Sequence, residues 1–415
     1  MSNFIYAFVL HSIAFMIAFV TNAQGAEKIE FTEAFKLLEQ HSSVEDLKSK
    51  ALAQTEKAHS AGSWGDPKLT LAAQNLPQDD LSLDQSPMSG FQIQLSQTIG
   101  ITPKYGQLEK ANQLLADSIS SRADAQRLQL AYKAWSAAIE WQEGRGRLEV
   151  AQESLEWIEN MLSVSKKLYA NGGLSQQAIL DIQMRRSELR SNILKLKSRL
   201  KEIEAMLSYV LPRRYEIDLS SVPWRFFEKN FSQELNDPSE VELERLVESQ
   251  ELKLSAERWG QVPDLTLGVG HIKRDANAFG DAVTFSVSMP LPTSGKRYSQ
   301  KREALSQKRS ALHRLTDYKN KKGSRLRELS LKTERVKGQL KILNDETLSY
   351  ARNSREIAAT SYQNGSLNYN DLLDTELKLQ KFQDQRHEFE AEWRRSRLES
   401  MLLSGHSLNP LEEKK

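Results

Sequence analysis

Tyr169-Ala170-Asn171-Gly172-Gly173-Leu174 returns 193 residues later as Tyr362-Gln363-Asn364-Gly365-Ser366-Leu367, and Leu180-Asp181 returns at the same offset as Leu373-Asp374. Upstream, Pro67-Lys68-Leu69-Thr70-Leu71 comes back as Pro263-Asp264-Leu265-Thr266-Leu267 at an offset of 196, and Lys104-Tyr105-Gly106-Gln107 resembles Lys296-Arg297-Tyr298-Ser299-Gln300. A nearly constant offset over this span makes the chain two copies of one unit, residues 27–211 and 238–404. Residues 212–237 lack helical periodicity and form a linker with its own small packed patch, and 405–415 are a C-terminal tail.

Each copy has the same order: a helix, two alternating segments, a very long helix, a turn and another helix. Leu69, Leu71 and Ala73, then Phe91, Ile93 and Leu95, alternate with polar or small residues, as do Leu265, Leu267 and Val269, then Val283, Phe285, Val287 and Met289. Period two predicts strands at about 67–76, 90–99, 263–273 and 281–290. Their length and single apolar face suit strands that cross a bilayer. The helices, predicted at about 105–170, 174–211, 296–364 and 367–404, carry seven-residue repeats. Trp141, Leu148, Leu155, Leu162 and Tyr169 form one, and Ile182, Leu189, Leu196, Ile203 and Val210 another. Leu315, Leu329, Val336, Leu343, Tyr350 and Ile357 share a third, in a stretch without proline that reads as one unbroken helix of about 100 Å. These apolar residues hold helices together and carry no chemistry.

Of 415 residues 39% are hydrophobic and 27% charged, a balance that favours long, wet helices over several compact cores. Lys and Arg number 57 against 55 Asp and Glu, interspersed, so nothing points to nucleic acid. The absence of Cys excludes thiol nucleophiles, Cys-ligated metals and disulfides. The seven His show no H-x-x-x-H pairing, and neither a phosphate loop nor a G-x-S-x-G occurs, so no catalytic residue, metal site or cofactor is expected. Phe4–Val20 is an apolar run followed by small residues at Ala23 and Gly25, which predicts a secretory signal peptide over 1–25; a retained membrane anchor is the alternative.

Four strands per chain cannot close a barrel, and open edges are not tolerated in lipid. Closure therefore demands further copies, and three copies of four strands give 12 and leave a lumen. Long helices polar apart from narrow seams suit a hollow, water-filled cylinder. A trimeric channel-tunnel is the economical solution.

The duplicated layout, Gly65-Asp66-Pro67 entering the first strand, Ser288-Met289-Pro290-Leu291-Pro292 and Gly295-Lys296-Arg297 leaving the last, and Tyr362 to Asp374 at the second turn together resemble the TolC-type outer-membrane efflux channels, the outer membrane factors. The strand-flanking segments look most like the CzcC-like branch that serves heavy-metal efflux. The resemblance implies a mainly α, internally duplicated fold with four transmembrane strands per chain. The homotrimer would form a 12-stranded barrel in the outer membrane of a Gram-negative bacterium and a 12-helix periplasmic tunnel. Residues 212–237 would form the equatorial segment, and loops 77–89 and 274–280 would face outside the cell. Such proteins catalyse nothing; they are the passive exit duct of a tripartite pump with a periplasmic adaptor (membrane fusion protein) and an inner-membrane transporter.

In the family the two turns form a periplasmic tip that closes like an iris and meets the adaptor. Carried onto this chain, Gly172, Leu174, Ser175, Gly365, Leu367 and Asn368 are adaptor-contact residues, and Asp371, Asp374, Tyr362 and Asp181 belong to the pore or gate. Leu367 departs from members that have an Arg latch there. Gly at 172 and 365 fits a positive φ, and Ser175 and Asn368 fit helix caps, so a well-formed turn explains them without any gate. Acids in a helix's first turns also favour its dipole. The competing reading is a periplasmic coiled-coil structural or adaptor protein, which would carry one hairpin flanked by soluble β domains rather than paired strands twice over.

Overall fold

The computed structural model describes residues 27–79, 81, 83, 86, 88–210, 215–228, 236–274, 280–291 and 295–410. The signal segment 1–25 with its cleavage site lies outside them, as do Asp275, Pro292, 411–415 and parts of 77–89, 212–237 and 274–280. In chain order the elements are β1 (Glu27–Glu30), α1 (Phe31–Leu37), α2 (Ser42–Gly62), β2 (Lys68–Gln74), β3 (Gly90–Ile99), α3 (Lys104–Ala170), α4 (Gln176–Val210) and β4 (Tyr215–Asp218). They continue with α5 (Pro238–Trp259), β5 (Leu265–Arg274), β6 (Ala282–Ser288), α6 (Lys296–Ile342), α7 (Leu348–Gln363) and α8 (Tyr369–Leu403). The chain is mainly helical, and among the described residues no helix is long and apolar enough to cross a membrane.

Two compact units emerge, and each draws on both sequence repeats. Among the described residues, one takes in those up to Val44, Gln126–Asp237 and those from Lys322 onward; the other takes in Glu45–Ala125 and Pro238–Lys321.

The second unit holds a four-stranded antiparallel sheet in the order β2-β3-β5-β6. The middle pairing, Gly90↔Arg274 to Ile99↔Leu265, joins one sequence repeat to the other. One face carries rows of apolar side chains: Leu69, Leu95, Val269 and Phe285 lie in register, and Leu71, Ile93 and Val283 follow in the next row. All seven are exposed, Phe285 to 82%. β2 and β6 end inside their expected limits, where the backbone runs out of donors or changes hand; β3 keeps its limits, and β5 starts two residues later than expected and ends one residue later, at Arg274. Pro67 and Pro290 have no N–H to offer, and Asn75 turns to φ 55 while its Nδ2 donates to the Met88 carbonyl at 3.0 Å. Nearby helices are tied by polar bonds: Gln54 Nε2 donates to Asn112 Oδ1 at 2.7 Å, and Ser249 Oγ to the Ala111 carbonyl at 2.7 Å.

The first unit is organised around Trp135 on α3, which is fully buried. Its ring stacks on Phe226 at 4.8 Å and meets Phe31 and Phe227 edge-on at 4.7 and 5.0 Å. Its Nε1 donates to the Leu408 carbonyl at 2.9 Å, which ties the chain's last described residues to the helix. Phe226 and Phe227, both buried, come from a short 3₁₀ turn, Trp224–Glu228. Alongside, β1 and β4 pair in parallel from Glu27↔Tyr215 to Glu30↔Asp218.

On α4 the heptad positions Ile182, Leu189, Ile203 and Val210 are buried. The expected single helix over 296–364 is different: α6 and α7 are separated by a π-helical turn, Leu343–Thr347. A π turn accommodates one extra residue and rotates everything after it. Leu329, Val336 and Leu343 are buried on the expected seam, but Tyr350 and Ile357 are 69% and 67% exposed, and the seam passes to Ala351 and Ala358, one residue later in each case.

Trp135→Ala is expected to lower the unfolding free energy by about 3–5 kcal/mol, read as an earlier denaturant midpoint. Trp135→Phe keeps an aromatic ring in place but surrenders the bond to Leu408, and should cost about 1–3 kcal/mol.

Candidate functional site: the paired helical turns

Both helix–helix turns belong to the first unit and have the same construction. In the first, Gly172 at φ 73° donates its N–H to the Tyr169 carbonyl at 3.0 Å, and Gly173 donates to Leu168 at 2.9 Å. In the second, Gly365 at φ 72° donates to Tyr362 at 3.0 Å, and Ser366 to Ser361 at 2.9 Å. The left-handed glycine satisfies the last carbonyls of the incoming helix, a conformation that a Cβ would oppose. The outgoing helices start where polar side chains cap them: Ser175 Oγ accepts from the Ala178 N–H at 3.3 Å, and Asn368 Oδ1 from the Asp371 N–H at 2.9 Å. These caps put the starts of α4 and α8 at Gln176 and Tyr369, two residues later than expected.

Leu174 and Leu367 pack against a core of Ile158, Met161, Leu162, Ile182, Leu189, Tyr362, Tyr369 and Leu372. Tyr362 is itself in this core, and its hydroxyl bonds Ser165 Oγ at 2.7 Å. In this chain it ties α7 to α3 from the inside. Asp371 and Asp374 are exposed, and Asp181 is half-buried. Each is already engaged locally: Asp371 accepts from Asn368 Nδ2 at 2.7 Å, Asp374 meets Lys378 Nζ at 2.6 Å, and Asp181 accepts from Gln177 Nε2 at 3.0 Å. Capping therefore accounts for Asp371 more fully than its sequence suggested, and the Asp371 and Asp374 residues remain exposed.

Behind the turns lies a buried polar cluster that the sequence reading missed. Glu376 on α8 is 1% exposed, meets Arg355 of α7 at 3.2 Å and accepts a bond from Ser154 of α3. One turn along, Gln380 accepts from Arg185 of α4, so four helices converge on two neighbouring side chains. Burial raises the Glu376 carboxyl above its ordinary range, and the lowering effects of Ser154, Arg355 and Arg185 do not offset it. Tyr369 lies nearby with a buried hydroxyl that has no hydrogen-bond partner among the described residues; burial and the Asp181 charge push it up to about 12. The signal was present in Tyr369, Leu372, Glu376 and Leu379, where an acid occupies a place in the apolar stripe of a helix.

Among the described residues no group of three or more His, Asp or Glu could hold a metal ion. The turns offer exposed carboxylates on rigid, capped helix starts, which is equipment for electrostatics or docking. No nucleophile stands beside a base there.

Nine-tenths or more of the chain superposes on several solved structures. This is the fold of outer-membrane channels. CusC, solved in a study of folding and transmembrane channel formation, matches with a TM-score of 0.75 at 14% identity, over 93% of this chain and 96% of that one. The outer membrane protein VceC from Vibrio cholerae gives 0.74 at 13%, over 91% and 96%. The CmeC outer membrane channel of Campylobacter jejuni gives 0.70 at 12%, over 90% and 85%. At such identities the likeness is one of fold. No protein-family model and no curated protein matches the sequence.

Because the folded-state pKa of Glu376 is raised, its contribution to stability is fully present below the unfolded pKa and is lost as pH rises through the folded one. Glu376→Gln should therefore melt at a higher temperature than the wild type at neutral pH, with the gap closing on acidification. A variant less stable at neutral pH would show that the charge pair with Arg355 outweighs burial.

Proposed function

We propose that the protein is the outer-membrane channel-tunnel of a tripartite efflux pump, a passive duct with no catalytic step. The observation that carries this reading is the four-stranded sheet of β2, β3, β5 and β6: apolar on one face, polar on the other, with both edge strands unpaired on their outer sides among the described residues, in a fold shared with solved outer-membrane channels. Backbone groups at such edges find no partner in lipid, so the sheet must be completed by other copies. Three copies give a 12-stranded barrel with a lumen, in which the apolar face meets outer-membrane lipid and the polar face meets water.

The helices would then continue the duct through the periplasm as a 12-helix tunnel, after export on the signal peptide at 1–25. The turns around Gly172 and Gly365 would meet a periplasmic adaptor through Leu174, Ser175, Leu367 and Asn368, and an inner-membrane transporter would supply energy and choose the cargo. Asp371 and Asp374, exposed and repeated by symmetry, would ring the narrow end and favour cations there. Asp181 would add to that field, while Tyr362 would act on the gate by joining α7 to α3. Heavy-metal ions are the first cargo to test, on the resemblance of the strand-flanking segments alone.

Purified in detergent, the chain should run as a trimer and give cation-selective single channels in planar bilayers that multivalent cations block from one side. Asp371→Ala with Asp374→Ala should abolish the block. A soluble monomer that does not insert would return the chain to the coiled-coil reading, and a block unchanged in the double variant would return both aspartates to capping and surface pairing.

A further inference from the structure

The polar face of the sheet has a fixed sign. Its rows are Thr98, Thr266 and Ser288; Lys68, Ser96, Gly268 and Ser286; Thr70, Gln94, Gly270 and Thr284; Ala72, Gln92, Ile272 and Ala282; and Gln74, Gly90 and Arg274. Lys68 and Arg274 are the only charged residues in these rows, and both are basic. Three acids lie at the ends of the strands, outside these rows. Asp281 accepts from the Arg274 backbone N–H at 3.2 Å and meets His271, a residue of the apolar face, at 3.3 Å. Asp264 is engaged at the foot of β5 by Lys104 at 2.7 Å and the Tyr105 hydroxyl at 2.9 Å, and Asp66 precedes the first paired residue of β2.

Glycines on this face seat the side chains that cover it. A Cβ at Gly268 would lie 2.5 Å from Ser286 Oγ and 2.7 Å from Gln94 Nε2, and one at Gly270 would lie 3.2 Å from Gln92 Nε2. A Cβ at Gly90 would lie 3.2 Å from Arg274 Cγ, so the Arg274 stem lies across that glycine on the polar side. Gln94 Nε2 donates to Ser286 Oγ at 3.0 Å, and Gln92 Nε2 to Gln94 Oε1 at 2.9 Å, which lines the middle rows of this face with neutral amides. Neutral amides and hydroxyls coordinate ions of either sign weakly, so the basic side chains set the potential.

We propose that the sheet section of the duct favours anionic solutes, with Lys68 and Arg274 as its charge-selecting residues. The inference rests on the channel reading above and deepens it: three copies would place three Lys68 and three Arg274 around the lumen, opposite in sign to the aspartates of the helical turns. Rings of Lys or Arg favour anions in a pore, and the effect weakens as salt screens it. A solute carrying phosphate, sulfonate or carboxylate groups would be drawn through this section, and a free inorganic cation would be disfavoured in it.

The test is the reversal potential of full-length trimers in planar bilayers across a KCl gradient, in an Asp371→Asn, Asp374→Asn background that removes the competing acids. Lys68→Gln with Arg274→Gln is expected to raise the K⁺ to Cl⁻ permeability ratio by about twofold or more at low salt, and Lys68→Glu by more than Lys68→Gln. The differences should shrink towards about 1 M KCl. Conducting trimers whose ratio is the same in all these variants at low salt would overturn the inference and leave the channel standing. A wild type that inserts and never conducts, even in the aspartate-free background, would overturn the channel reading and this inference with it.

Discussion

A β-strand in hydrocarbon has nowhere to place an unpaired N–H or C=O, and each group left open costs several kcal/mol. Among the described residues the sheet of this protein has β2 and β6 as its two edges, while one face displays Leu69, Leu95, Val269 and Phe285 in a single row. Apolar surface asks for lipid and open edges forbid it unless other strands close them. The fold answers half of this within one chain by pairing β3 with β5 across the two sequence repeats. In the proposed duct the rest would fall to other copies of the chain, which would make assembly a condition of membrane insertion.

The helices meet a milder constraint with a similar economy. Their seams are narrow and small residues do much of the packing, as at Ala304 and Ala311 seven residues apart on α6. A strict heptad on a straight helix drifts from its partner over many turns, and a one-residue insertion resets it. The π turn at Leu343–Thr347 makes that correction shortly before the chain reaches its second turn. It delivers Ala351, Ala358 and Tyr362 to the core, so the Tyr362–Ser165 bond and the Glu376–Arg355 pair both depend on the reset register.

Around the turns, local order and buried charge pull in different directions. Glycine and the Ser175 and Asn368 caps make each turn self-sufficient, so the exposed acids sit on well-defined helix starts. Glu376 does the opposite. It places a carboxylate where burial opposes its charge, among side chains contributed by α3, α4, α7 and α8. A cluster of that kind contributes little net stability but joins four helices at one place.

Much was legible in the residues alone because it depends on local periodicity. The duplication, the four alternating segments, the seam of α4 and the glycine and cap of each turn all follow from spacing, and the structure has strands, buried heptad positions and positive-φ glycines at those places. What depends on register between distant segments was decided only by tertiary structure. No local signal marks the π turn, so Tyr350 and Ile357 fall outside the seam to which a seven-residue count assigns them. Nor does sequence say that β3 pairs with β5, that Gly90, Gly268 and Gly270 lie under Arg274, Gln94 and Gln92, or that Glu376 is matched by an arginine from another helix. Period and capping are properties of a segment by itself, whereas a cross-strand row or a buried ion pair exists only once two segments are placed side by side.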